Sequence, residues 1–216
     1  MTRFHDTDQL IRSLALTPQA QTRAPWRDLR RLLPVTLATS LTLAVGLCFV
    51  MAGGAHGFAG VVGRPWFYYK LICMGALATG GWRLLLDVAQ PGYGRLRLVV
   101  LAPAVIVLTL GAAIDSSDLP LAGQHPMSVP ACLGAIVLLA APAMGLILLS
   151  LRRAAATTRP ALAGAVAGLV AGALGGAAYA FACKNDGGLF VAVWYGAAVG
   201  VTAMIGALVG RRALAW

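Results

Sequence analysis

Glutamate is absent from this chain of 216 residues, and charged residues of every kind make up only 11% of it. A soluble domain carries about a quarter charged residues, so a water-soluble globular fold is excluded. The four cysteines include no C-x-x-C pair, which argues against a thioredoxin-like motif or a zinc knuckle. There is no phosphate-binding loop, no H-E-x-x-H and no plausible Ser/His/Asp set, so the sequence points to no enzyme and calls for no cofactor. The first thirty or so residues lack an apolar core followed by a small-residue cleavage site. No secretory signal peptide is expected there, and the segment is read as retained in the cytoplasm.

What remains is apolar: 59% of the residues are hydrophobic, and 26 are glycine. This composition predicts an all-α, polytopic membrane protein. A span needs roughly 17–25 mostly apolar residues. Six such helices are expected, at about 32–54, 66–88, 98–114, 129–151, 160–182 and 189–210. They form a transmembrane domain over 32–216, preceded by a cytoplasmic segment over 1–31. Pro65, Pro130 and Pro160 mark helix starts, and Pro34 lies in a first turn. Pro103 and Pro142 lie deeper and are expected to kink the third and fourth helices.

The net charge is +10, but the basic residues sit at the ends of apolar blocks rather than on a separate polar face. That distribution points to a lipid bilayer as partner and to no direct nucleic-acid binding. With the N-terminus inside, 14 of the 17 basic residues fall on the inner side, among them Arg30, Arg31, Arg95, Arg97, Arg152, Arg153, Arg159, Arg211 and Arg212. Only Arg64, Lys70 and Lys184 fall outside. The positive-inside rule then places both termini in the cytoplasm. Lys70 and Arg83, near opposite ends of the second block, read as anchors that snorkel to the interface, with Asp87 one turn from Arg83.

In the N-terminal segment, Asp6 and Gln9 have capping-box spacing. Leu10, Ile11 and Leu14 then share one face of a short amphipathic helix that Pro18 stops. Such a helix lies on a membrane or docks in a partner's groove. Arg23, Arg27, Arg30 and Arg31 with Trp26 read as a juxtamembrane anchor to anionic lipid.

The last third is the most patterned. Gly164, Gly168, Gly172 and Gly176 recur at every fourth position, leaving a groove into which another helix can pack closely. The following helix is the expected neighbour, through its Gly196/Gly200 and Gly206/Gly210 pairs. Between the two lies the polar turn Cys183-Lys184-Asn185-Asp186.

All four cysteines fall in the outer half of the membrane under this topology. Cys48 and Cys73 read as small buried hydrophobes. Cys132 and Cys183 lie closer to the surface, with His125 in the loop before Cys132 and Lys184 next to Cys183 as auxiliary groups. Three readings stand for the pair: a disulfide or redox dithiol, ligands for a soft metal, or two unrelated structural thiols. Two Cys and one His are one ligand short of a closed zinc site.

The endings P-A-L-A-G-A-V-A-G-L-V-A-G-A, Y-A-F-A-C-K-N-D, F-V-A-V-W-Y-G and G-R-R-A-L-A-W resemble the NrsF family of bacterial inner-membrane anti-sigma factors. The start T-D-Q-L-I-R-S-L-A is similar as well, and the six-helix layout agrees. The resemblance aligns the family's two cysteines with Cys132 and Cys183. Ala182 stands where the family often has histidine, which weakens a metal site using that position. The resemblance implies a protein that sequesters an extracytoplasmic-function sigma factor at the membrane and releases it on metal or oxidative envelope stress. Leu10, Ile11 and Leu14 are the expected sigma-binding residues, and Cys132 and Cys183 the expected sensor. A small transporter or channel is the alternative, although the last four helices carry no ionisable residue at mid-membrane. A membrane thiol oxidoreductase ranks third.

Overall fold

The computed structural model describes residues 60–89, 97–117, 120–121, 123, 128–154 and 159–214, with seven single positions between 34 and 49. Leu10, Ile11, Leu14, Cys48, His56 and His125 lie outside the described residues. All regular structure among the described residues is helical. Helix α1 spans Pro65–Val88, α2 spans Ala102–Ala113, and α3 spans Ser128–Ala154. Helix α4 spans Pro160–Tyr179, and α5 runs through Gly188–Ala213. Pro34, Val35, Ala38, Thr42, Val45, Gly46 and Phe49 are also helical.

Proline sets several helix starts. Pro65 and Pro160 occupy the first turn of α1 and α4, where the fixed φ suits the helix and the missing N–H costs nothing. Arg64 is extended before Pro65, as the ring of a following proline demands. Pro103 also falls in a first turn, that of α2, so it starts a helix rather than kinking one. A short 3-10 stretch, Leu98–Leu101, leads into it. Pro142 lies inside α3.

Four helices are long and apolar enough to cross a membrane: Pro65–Val88, Val129–Arg153, Pro160–Tyr179 and Gly188–Ala213. The Leu98–Ala113 segment is shorter. Its 3-10 and α residues together reach about 26 Å, against roughly 30 Å of hydrocarbon.

Helix α4 is the centre of the bundle, packed against α1, α3 and α5. Its apolar window is 67% buried, against 39% for each of the other three long helices. Small residues make this possible. Gly164 faces Gly206 and Gly210, Gly168 faces Thr202 and Ala203, and Gly172 faces Val199 and Thr202. Gly175 turns toward α3 at Ile136 and Ala140, and Gly176 meets Met74 of α1. Gly196 and Gly200, by contrast, have open space where a side chain would be. Six residues separate Gly200 from Gly206, roughly 600° of helical rotation, so the two glycine pairs point about 120° apart. Only the second pair meets α4.

The outward faces are apolar: Ile72, Leu138, Met204 and Leu208 are all exposed. Such a girdle suits lipid rather than water. Arg152 and Arg153 close α3, and Arg211 and Arg212 close α5, each pair in the last turn, where cations oppose the negative end of the helix dipole. Arg159 precedes α4 at the same end of the bundle.

Candidate functional site

The end of the bundle opposite those arginines gathers the start of α1, the end of α2, the start of α3, the end of α4 and the start of α5. Helix α4 closes there through a tight turn. The N–H of Ala180 donates to the Gly176 carbonyl at 3.0 Å, and the Ala182 and Cys183 N–H groups both donate to Tyr179 at 2.9 Å. The chain then leaves the helix, so the Cys183 carbonyl is free to accept from elsewhere.

It accepts from Lys70. The ammonium Nζ donates to the Cys183 carbonyl at 3.1 Å and to Asp186 Oδ1 at 3.1 Å. Arg64 Nη1 pairs with the other carboxylate oxygen, Oδ2, at 2.7 Å, and its Nε donates to the Gly60 carbonyl at 3.2 Å. Lys70 does not snorkel to the surface: it is 0% exposed. Its four-carbon stem runs inward because α1 presents Phe67, Lys70, Cys73, Met74 and Leu77 on one buried face. A buried ammonium is costly unless paired and hydrogen-bonded. Asp186, with 20% of its side chain exposed, supplies the charge, and Cys183 supplies the second acceptor. Removing one partner of such a pair costs on the order of 3 kcal/mol. Among the described residues, Arg83 and Asp87 form no ion pair; the salt bridges are those of Asp186 with Arg64 and Lys70.

The thiols lie just beneath. Cys73, Cys132 and Cys183 belong to one apolar cluster with Met74, Ile136, Phe190 and Tyr195. All three are free thiols. Cys132 is 0% and Cys183 2% exposed, so the two sit in a dry interior rather than near water. Helix α3 carries Cys132 into the bundle beside α4, and the turn after α4 brings Cys183 into the same buried cluster. The Cys183 thiol makes a long contact of 3.9 Å to the Asn185 carbonyl. Lys184, the expected neighbour, is exposed; it is Lys70, from another helix, that reaches Cys183.

Tyr195 completes the cluster. It lies in a single π turn, Val191–Tyr195, within α5; π turns are rare and often fall at functional positions. Its hydroxyl is buried beside the Cys183 and Cys132 thiols and makes no well-formed hydrogen bond. Sequence reasoning gave no sign of this group, since a lone tyrosine in an apolar run reads as packing.

Two further contacts pin the adjoining segment after α2. Asp115 Oδ2 accepts the Leu189 N–H at 2.8 Å, placing a carboxylate at the N-terminus of α5, where the dipole favours it. Partial burial pushes the Asp115 carboxyl up. The nearby Ser117 hydroxyl and the backbone N–H groups of Leu189, Ser117 and Gly188 outweigh it and hold the group below the usual carboxylate range. Trp194 Nε1 donates to the Leu121 carbonyl at 2.6 Å.

Among the described residues, no three His, Cys, Asp or Glu side chains come together as metal ligands. Chemically, the site offers three free thiols in one buried apolar cluster, beside an ion cluster that ties α1 to the turn after α4.

Four helices long and apolar enough to cross a membrane, packed on a glycine seam, with thiols at one end and most of the described arginines at the other, define an all-helical protein suited to membrane association. The chain belongs to the NrsF family, the negative regulators of sigma F, whose sequence profile it matches over residues 17–216. It is thus a negative regulator of a sigma factor. No curated protein and no solved structure matches it.

Proposed function

We propose that this chain is a multi-pass inner-membrane anti-sigma factor that sequesters an extracytoplasmic-function sigma factor and releases it on metal or oxidative envelope stress. The match to the NrsF family over residues 17–216 carries this reading. The separation of arginines from thiols supports it, because the positive-inside rule puts the arginine end in the cytoplasm and the thiols toward the outer face. In this scheme Leu10, Ile11 and Leu14 dock in a groove of the sigma factor, and Cys132 and Cys183 sense the signal. The regulatory role involves no catalysis.

The test is a pull-down of the intact protein from membranes, with and without residues 1–31. The sigma factor should co-purify only with the longer form. Ile11→Asp with Leu14→Asp buries charge in an apolar contact and should leave the sigma regulon constitutively active while the protein still inserts. Repression that survives both changes puts the binding surface elsewhere, in the inner loops near Arg95 or Arg152. Cys132→Ser and Cys183→Ser keep size but remove redox and soft-metal chemistry. Each should abolish induction and keep basal repression; full induction in both variants rules the thiols out as sensor.

One observation favours a second reading, a small transporter or channel. Lys70 is a charged residue facing the bundle interior, as pathway residues do. Its place near the end of α1, away from the midplane, fits a transport site poorly. Solute or ion flux in liposomes tests it.

A further inference from the structure

Cys183 has two functions in the fold. Its sulfur lies in the thiol cluster beside Cys132 and Tyr195, and its carbonyl is one of the two acceptors of Lys70. The other acceptor, Asp186, is three residues further along the same turn and is shared with Arg64. Both cations belong to the start of α1 and both acceptors to the turn between α4 and α5. Helices α4 and α5 are locked together by backbone-to-backbone packing at Gly164, Gly168, Gly206 and Gly210. The start of α1 has no such seam against this turn. It meets the end of α4 and this turn through the ion cluster, the edge-to-face pair Phe67–Phe181, 4.9 Å between ring centroids, and apolar packing of Val61 and Phe67 against Ala180.

We propose that Lys70 is the positioning residue of the thiol site: it latches α1 to the Cys183–Asp186 turn, shields Cys183, and passes any displacement of Cys183 to α1. The physical basis is that a fully buried ammonium cannot lose an acceptor without regaining one or moving toward water. Moving the Cys183 backbone withdraws one acceptor and shifts Asp186, the other, with it. Helix α1 is one continuous helix from this end to Arg83 and Asp87 near its far end. A shift at Lys70 is therefore felt at the surface that carries the arginines. This proposal rests on the sigma-regulator reading only for its cellular consequence.

The test uses the full-length protein and reads two things separately. A water-soluble maleimide is reacted with the protein in detergent, and labelling of each cysteine is followed by mass spectrometry. Sigma-factor retention is measured by co-purification from membranes. In Asp186→Asn and in Lys70→Met, labelling of Cys183 should rise about tenfold while Cys73 and Cys132 stay within about twofold, as local opening of one turn requires. Asp186→Glu keeps the charge and should label as the wild type does. The two neutralising variants should lose the sigma factor without inducer, and Asp186→Glu should keep it. Unchanged Cys183 labelling in both neutralising variants overturns the latch. So does equal acceleration at all three cysteines, which marks general unfolding. Fast Cys183 labelling with the sigma factor still bound overturns the coupling to α1. A wild type that retains no sigma factor defeats the functional reading instead, and labelling still decides the latch.

Discussion

Lys70 and Asp115 organise the same end of the bundle by different routes. Lys70 joins two elements through acceptors more than a hundred residues away in sequence, at Cys183 and Asp186. Asp115 caps a helix to which it does not belong, through the Leu189 N–H. Asp115→Ala removes that cap and should lower stability in detergent at pH 7 by about 1 kcal/mol or less, since the carboxylate is partly solvated. The sign with pH follows from its depressed folded value. The contribution is full above the ordinary carboxyl pKa of 3.8 and is lost as pH falls through the lower folded value. Thermal midpoints of wild type and variant should therefore differ at neutral pH and converge below about pH 3.8. A difference that persists in strong acid assigns Asp115 a role other than charge. At this scale the sequence was least legible. The position of Lys70 near a helix end fits snorkelling, and only the placement of a turn from another part of the chain turns it inward.

The glycine seam belongs to the scale of elements. A Cβ on Gly168 would meet backbone at Thr202 and lie 2.8 Å from the Ala203 Cα, neither of which can rotate away. Gly168→Ala should destabilise even though alanine favours helix by about 1 kcal/mol. Gly168→Leu should cost about 1–3 kcal/mol or more, as overpacking does. Gly200→Leu is the matched control: its site is open, so its thermal midpoint in detergent should stay close to the wild type. Equal losses at positions 168 and 200 dispose of the seam as the source of stability. The spacing of Gly164, Gly168, Gly172 and Gly176 is readable without coordinates, because four residues return nearly to the same face. The partner face is less so. Gly196/Gly200 has the same spacing as Gly206/Gly210, and helical rotation lets only one of them face α4. The π turn at Val191–Tyr195 leaves no mark in the sequence, since it reflects a packing demand rather than a residue type.

For the whole molecule, the separation of charge gives a test of orientation. Lys184 is exposed at the thiol end and Arg153 at the arginine end. In spheroplasts, Lys184→Cys should react with an impermeant maleimide from outside, and Arg153→Cys only after permeabilisation. The reverse pattern turns the protein over and moves Cys132 and Cys183 to the cytoplasmic side, which removes an envelope signal from their reach.

Composition and apolar block length alone determined that this chain is helical, with helices apolar enough to cross a membrane, because continuous apolar runs satisfy their own backbone hydrogen bonds without water as helices, while a closed barrel needs alternating residues. Proline and arginine positions determined most helix starts and the gathering of most arginines at one end, since both effects act within a turn or two of the residue. Tertiary structure alone decided that Cys132 and Cys183 share a dry cluster, that Tyr195 adds an unpartnered hydroxyl to it, and that Lys70 is locked between the Cys183 carbonyl and Asp186. These groups come from three helices and one turn. Their meeting depends on helix rotation and register set by packing around α4, which no local pattern along the chain encodes.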